Sequence, residues 1–349
     1  MVNFLAISPK LFYKFIYLFK IKIYYYIKNM KIDSKNLTDD IAEARPNLKP
    51  NTIKQYTTNL NKLKKMFETD NYDFLSDTDK VMEKISDLGY LSQRNILNAV
   101  VVLLMALNSD EKYDKLLEEY GKIRDKYNDQ YSDEQKSGVI SDKQSANFAT
   151  IEEIYEMINT MADELKPIKK KTELSKKEFS LLQAFTLFNI YARMPMRNDV
   201  SEMEAIQKRA YNKLSEEEKK SKNYLVLEKN GMFFVLNKYK TAKKYEELNL
   251  PIEDKSLRKI IRFYLKHNGM GVLFKTSTGK PITRTELSKL LIKFSKKYMN
   301  KSVSTTILRK SFLSSKYGDM KKEMLKDSKV LGHDIATTGM KIYVKEAQE

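Results

Sequence analysis

Between Asn51 and Phe67 the apolar residues Ile53, Tyr56, Leu60, Leu63 and Phe67 recur at alternating intervals of three and four, which puts them on one face of a helix. Ser76 and Asp77 are residue types that cap helix starts, and they predict a second helix running to Leu88. Gln93–Leu107 is a dense apolar run and Glu111–Tyr127 a charged one, each long enough for a further helix. Together these four predict a small helical domain over 35–130. From Ser132 to Thr150 the period dissolves into Ser, Asp, Gln, Lys and Gly, which predicts an interdomain linker over 132–149.

The second half mixes two periods. Thr150 and Glu153 are spaced as a reciprocal helix cap, and a longer apolar helix is predicted over Ser175–Tyr191. Three short apolar runs between 223 and 252 read as strands. Asn230-Gly231 stands where a tight two-residue hairpin would need positive φ at both positions, and a longer lysine-rich connection follows. Four helical stretches then run near 255–267, 283–299, 303–317 and 320–346, the last broken at Gly332. The expected class is α+β, mostly α-helical: an N-terminal helical domain, then a C-terminal helical domain with a small antiparallel three-stranded sheet.

A chain of 349 residues suits such a two-domain plan. The absence of cysteine excludes disulfides, thiolate metal sites and a cysteine nucleophile. Two histidines, His267 and His333, are too few for a multi-histidine metal centre. No phosphate-binding loop or dinucleotide glycine fingerprint occurs, so neither metal nor cofactor is expected. Leu11–Tyr26 is aliphatic and aromatic, but Lys14, Lys20 and Lys22 interrupt it, whereas a membrane span needs about 20 largely apolar residues in a row. Residues 1–29 are therefore expected to be a basic extension, with Met30 as a possible working start, and the protein to be intracellular and not in a membrane. The net charge of +18 is unevenly placed. Residues 251–349 hold 22 Lys and Arg against 9 Asp and Glu, a surplus of 13, while residues 1–150 hold 23 against 21, a surplus of 2. So concentrated a surplus implies a polyanionic partner.

Basic residues in the second half stand at informative places. Arg197 follows an apolar helix in "YARMPMRNDV", with Asp199 two residues on; Arg193 is its competitor. Lys240 lies in the turn "KYKTAKK", with Lys238 and Lys243 as competitors. Arg309 lies in "TTILRKSF", His333 in "LGHD" and Tyr343 in "MKIYVK", with Tyr317 as the rival tyrosine. His267 reads as a helix end without chemistry. In this order the residues resemble the tyrosine recombinase (phage integrase) family, with type IB topoisomerases as more distant relatives in mechanism. The resemblance covers about 150–349, and extends weakly to the N-terminal helices, where the family places a SAM-like core-binding DNA-binding domain.

The resemblance implies a site-specific recombinase or integrase that cuts and rejoins double-stranded DNA through a 3′-phosphotyrosyl intermediate, as a monomer when free and a homotetramer on DNA. Tyr343 is then the nucleophile, Arg197 and Arg309 clamp the phosphate, Lys240 protonates the leaving 5′-oxygen, His333 completes the site and Asp199 supports it. Lys238, Lys243, Lys244, Arg284 and Lys310 become candidates for DNA contact. The chemistry fits the residue types: guanidinium groups are planar, always charged and bidentate to phosphate, and rejoining through a phosphotyrosine needs no nucleotide. Two departures stand out. Thr306 occupies the position three before Arg309 where the family has histidine or lysine, and threonine cannot shuttle protons near neutral pH. Only six residues follow Tyr343, too few for a long C-terminal helix traded between protomers. A topoisomerase-like relaxing enzyme and a catalytically impaired DNA-binding relative are the alternatives.

Overall fold

The computed structural model describes residues 31–34, 36–108, 111–139 and 142–332. The extension 1–29, the end of the expected 320–346 helix, His333 and Tyr343 all lie outside the described residues. The chain divides into two compact units, Met1–Val139 and Ile140–Glu349, each with its own apolar core.

The first unit is helical: α1 Leu37–Ala44, α2 Pro50–Phe67, α3 Thr78–Ile85, α4 Tyr90–Ala106 and α5 Asp114–Ser137. Asp77 caps α3, its carboxylate accepting from the Lys80 N–H. The apolar stripe of α2 buries Ile53, Leu60 and Leu63 against α4, whose Ile96, Leu97 and Val100 are enclosed. The boundary between the units lies within the stretch 132–149, parts of which are helical: α5 continues to Ser137, Gly138 ends it at φ +71°, and Asp142–Ser145 forms one more turn. A charged, exposed helix end has no apolar period to show in sequence.

The second unit packs α6 Ile151–Leu165, α7 Lys176–Arg193, α8 Lys255–Asn268, α9 Arg284–Met299 and α10 Thr305–Leu331 around a five-stranded sheet. Both halves of the Thr150–Glu153 capping box are present, and Ser175 with Glu178 and Thr283 with Glu286 repeat it. α7 is enclosed from Leu181 to Ala192 and forms the spine of the unit.

The sheet is mixed, with strand order β4-β3-β2-β1-β5. β2 (Tyr224–Leu227), β3 (Met232–Leu236) and β4 (Leu248–Pro251) are antiparallel neighbours. β1 (Glu204–Gln207) adds a parallel strand beside β2, and β5 (Gly271–Val272) an antiparallel one beside β1. The expectation of a three-stranded antiparallel sheet is thus corrected to five strands. β1 and β5 are four and two residues long, and half-polar "EAIQ" and glycine-led "GV" carry no readable alternation. Leu225, Leu227, Phe234 and Leu236 face the helices, while Tyr224, Val226, Phe233 and Val235 pack with Tyr211 on the opposite face.

Two local expectations also change. Neither Asn230 nor Gly231 has a positive φ; the β2–β3 connection is closed by the Glu228 N–H donating to the Gly231 carbonyl, so the two residues enclosed are Lys229 and Asn230 rather than Asn230 and Gly231. The stretches 303–317 and 320–331 are one helix, α10, with Gly318 inside it. An interior glycine costs only about 1 kcal/mol relative to alanine, and the flanking Lys, Met, Glu and Leu are strong helix formers. Gly332 does end the helix, at φ +69°.

Candidate functional site

α7 is long, apolar and buried, and its last turn delivers the chain into the strap Met194–Arg197. That strap is held from two sides. The Tyr191 hydroxyl donates to the Arg197 carbonyl at 3.1 Å, and Arg309 Nε donates to the Pro195 carbonyl at 3.2 Å. Arg197 itself is exposed. Arg193, its sequence competitor, is engaged: Nε meets Asp254 at 2.7 Å, Nη1 donates to Asn189 Oδ1 at 2.7 Å, and the guanidinium lies over the Tyr155 ring. Arg197 is therefore the exposed arginine of the two, and Arg193 the one that ties α7 to the start of α8.

Asp199 is 5% exposed and pairs with Arg284 Nη2 at 3.2 Å. Burial pushes its carboxyl above the usual range, and the charges of Arg284, Arg197 and Arg309 pull it back. Those three arginines thus share one buried carboxylate. Three guanidinium charges against one carboxylate leave the cluster with a net positive charge.

A cavity of about 460 Å³ opens beside them. Arg193, Arg197 and Arg309 line it together with Asp199, and Tyr239 and Thr241 enter from the turn that carries Lys240. Lys240 and Lys238 are exposed on that turn, as is Lys244 in the short helix beyond it. The structure thus brings Arg197, Asp199, Arg309, Arg284 and the Lys240 turn into one region. Lys310 instead donates to Gln144 Oε1 at 2.7 Å, and the side chain of Lys243 is outside the described residues.

α10 is seated through its first turns. Leu308 enters the core, the Ser311 hydroxyl donates to the Ala149 carbonyl, and among the described residues none beyond Ser311 is buried. Lys301 pairs with Glu153 at 2.6 Å and the Ser302 N–H donates to Asn147 Oδ1, fixing the approach to α10. Thr306 is exposed, three residues before Arg309 on the same helix.

One organising residue escaped the sequence reading. Asn223 is 7% exposed, and its amide makes four bonds. Nδ2 donates to the carbonyls of Asp199 and Lys238, and Oδ1 accepts from the backbone N–H groups of Asn237 and Lys238. It ties the arginine segment to the lysine turn. A polar residue just before an apolar strand carries no local signal of such a role. His267, on the last turn of α8, packs edge-on against Phe263 and does not line the cavity beside the arginines.

Among the described residues no group of three or more His, Asp or Glu is placed to hold a metal ion, and no helix is long and apolar enough to cross a membrane. The chain matches no model of a known protein family, no characterised protein and no solved structure.

Proposed function

We propose that the second unit is a DNA strand-transferase of the tyrosine recombinase kind, which breaks and rejoins DNA through a 3′-phosphotyrosyl intermediate on Tyr343. The single observation that carries this reading is the convergence of Arg197 and Arg309, 112 residues apart in sequence, on one cavity with the Lys240 turn at its edge. Two guanidinium groups converging on one cavity are suited to the non-bridging oxygens of a phosphodiester, whose charge grows in the transition state. Lys240 then supplies the proton that the leaving 5′-oxygen needs. The lysine-rich surplus of residues 251–349 provides the long-range attraction for the polyanion. The first unit serves as a second DNA-binding module, and a homotetramer on DNA is the assembly this chemistry uses.

A nicked suicide duplex, whose cleaved fragment diffuses away, tests the reading. Incubation without divalent metal should trap protein covalently on the 3′-phosphate, and Tyr343→Phe should abolish the adduct while leaving DNA binding in place. An adduct that persists in Tyr343→Phe refutes the nucleophile, and Tyr317, exposed on α10, would be examined next. Absence of an adduct from the unaltered chain on every site offered would favour a second reading, a DNA-binding relative with impaired cleavage. Thr306 motivates that alternative, because a hydroxyl at this position can contact phosphate but cannot take the tyrosine proton. Thr306→His separates the two: a gain in adduct rate near neutral pH marks proton transfer as the missing step.

A further inference from the structure

In the second unit a cavity of about 530 Å³ opens between the first half of α7, the middle of α9 and the turn 275–282. Four apolar side chains line it: Leu174, Phe179 and Leu290 pack against the core yet stay partly open, and Ile282 is 3% exposed. Lys176, Lys275, Lys289 and Lys293 line it too, against one carboxylate, that of Glu286, a balance of +3. It shares no residue with the cavity beside the arginines. Nor is it like the cavity of about 660 Å³ between the end of α2 and α3, where Glu68, Glu83 and Asp87 outnumber Lys80 and Lys84.

The walls of this cavity are fixed. Gln183 is 4% exposed; its Nε2 donates to the Lys275 carbonyl, and its Oε1 accepts from the Lys275 N–H and the Tyr264 hydroxyl, each bond 3.0 Å long. One side chain thus clamps the turn to α7 by its backbone. The turn itself is closed by the Thr276 N–H on the Lys280 carbonyl at 2.8 Å, and Lys275 Nζ is anchored on the Asn268 carbonyl at 2.8 Å. The acids nearby are committed elsewhere. The Glu286 carboxylate accepts from the N–H and the hydroxyl of Thr283 at the start of α9, and Glu178 is paired with Lys171 at 2.6 Å. Lys289 attracts Glu286 from one turn away, and Lys293 lies 5.6 Å from the Phe294 ring centre. Beyond those two contacts, among the described residues Lys176, Lys289 and Lys293 have no charge partner.

A preformed, mainly apolar hollow with a few polar groups at its edge is the usual form of a small-molecule site. Here the polar groups are ammonium ions, which select for negative charge, while the apolar lining gains only from a body that leaves water. A DNA backbone would meet the lysines but leave Phe179, Ile282 and Leu290 uncovered. One ligand chemistry satisfies both parts. We propose that this cavity binds an amphipathic carboxylate, its hydrocarbon or aromatic body against Phe179, Ile282 and Leu290 and its ionised head held by Lys289 and Lys293. The inference stands apart from the reading of the chain as a DNA-acting protein, because it uses none of the residues of the arginine cavity.

The test titrates the full chain with anilinonaphthalene sulfonate, an aryl anion that brightens in apolar surroundings, and then displaces it with decanoate below its micelle concentration. Saturable binding and full displacement are expected. Acetate, which lacks the body, and decanol, which lacks the charge, should displace it at least about tenfold less well. Lys289→Gln and Lys293→Gln should each weaken decanoate about fivefold, and Leu290→Asn about tenfold, with thermal midpoints confirming that each variant folds. Lys296→Gln removes a charge from the same helix outside the cavity and should change nothing. Decanol binding as well as decanoate, or variants at Lys289, Lys293 and Leu290 that bind decanoate like the parent, overturn the inference. So does a reporter that duplex DNA displaces and decanoate does not, which would assign these lysines to a DNA surface. Brightening that follows self-association in sedimentation, rather than reporter concentration, would assign the cavity to a contact between copies and overturn it equally.

Discussion

Asn223 Nδ2 lies 2.9 Å from the carbonyl oxygen of Asp199, 24 residues away in sequence, and through that bond the segment carrying Arg197 is joined to the start of β2. The same amide grips Asn237 and Lys238, so one side chain sets the spacing between the arginines and the lysine turn. Asn223→Ala would leave the N–H groups of Asn237 and Lys238 and the Asp199 carbonyl without their partner in a buried setting. A loss of about 1–3 kcal/mol is expected, read as a lowered urea midpoint. Cleavage should fall further than stability accounts for, since geometry is lost at conditions where the variant is still folded. A variant as stable and as active as the parent would show that Asn223 organises nothing.

Arg197 and Arg193 should behave oppositely. Arg193→Ala breaks an ion pair with Asp254 and a bond to Asn189, so it should lower the thermal midpoint. Arg197→Ala removes an exposed side chain, so the midpoint should hold while DNA cleavage drops by about 10²–10³ or more. If instead Arg193→Ala kills cleavage in a fully stable protein, the two assignments are reversed.

Acid should loosen helix starts before it opens the cores. The Lys171 ammonium and the cap of Ser175 hold the Glu178 carboxyl down at about 2; Glu153 is lowered by the Lys301 ammonium and its cap, and Glu218 and Glu286 by their caps. A carboxyl depressed in the folded state lends stability above its unfolded value, near 4.3, and surrenders it as pH falls towards the folded value. Far-ultraviolet circular dichroism between pH 5 and 2 should therefore show a progressive loss of helix signal. Glu178→Gln should flatten part of that profile; an unchanged titration would mean this cap does not contribute.

Limited proteolysis should separate the chain near 138–143. The apolar cores on either side share no residue, and Val139 is 79% exposed. First cuts inside 176–193 or within β2 and β3 would contradict this boundary.

The helices of both units were legible because one-sided burial imprints a period of 3.6 residues, as Ile53, Leu60 and Leu63 do on α2, and because a capping box is complete within four residues, as at Thr150 and Glu153. β2 and β3 were legible as apolar runs, since a strand buried on both faces is apolar throughout. What the sequence could not determine is everything that depends on a partner distant in the chain. β1 exists because β2 offers it free backbone groups, and β5 because β1 does, not because "EAIQ" or "GV" favours extension. The continuity of α10 past Gly318 depends on a balance of about 1 kcal/mol that local pattern does not resolve. Residue types and their order nominated Arg197, Lys240 and Arg309, but only the tertiary structure decided that Arg193 is occupied by Asp254, that Arg284 shares Asp199, and that Asn223 spans the gap. Hydrogen bonds and ion pairs of that kind are specified by three-dimensional proximity, and proximity is a property of the packed cores rather than of any window of sequence.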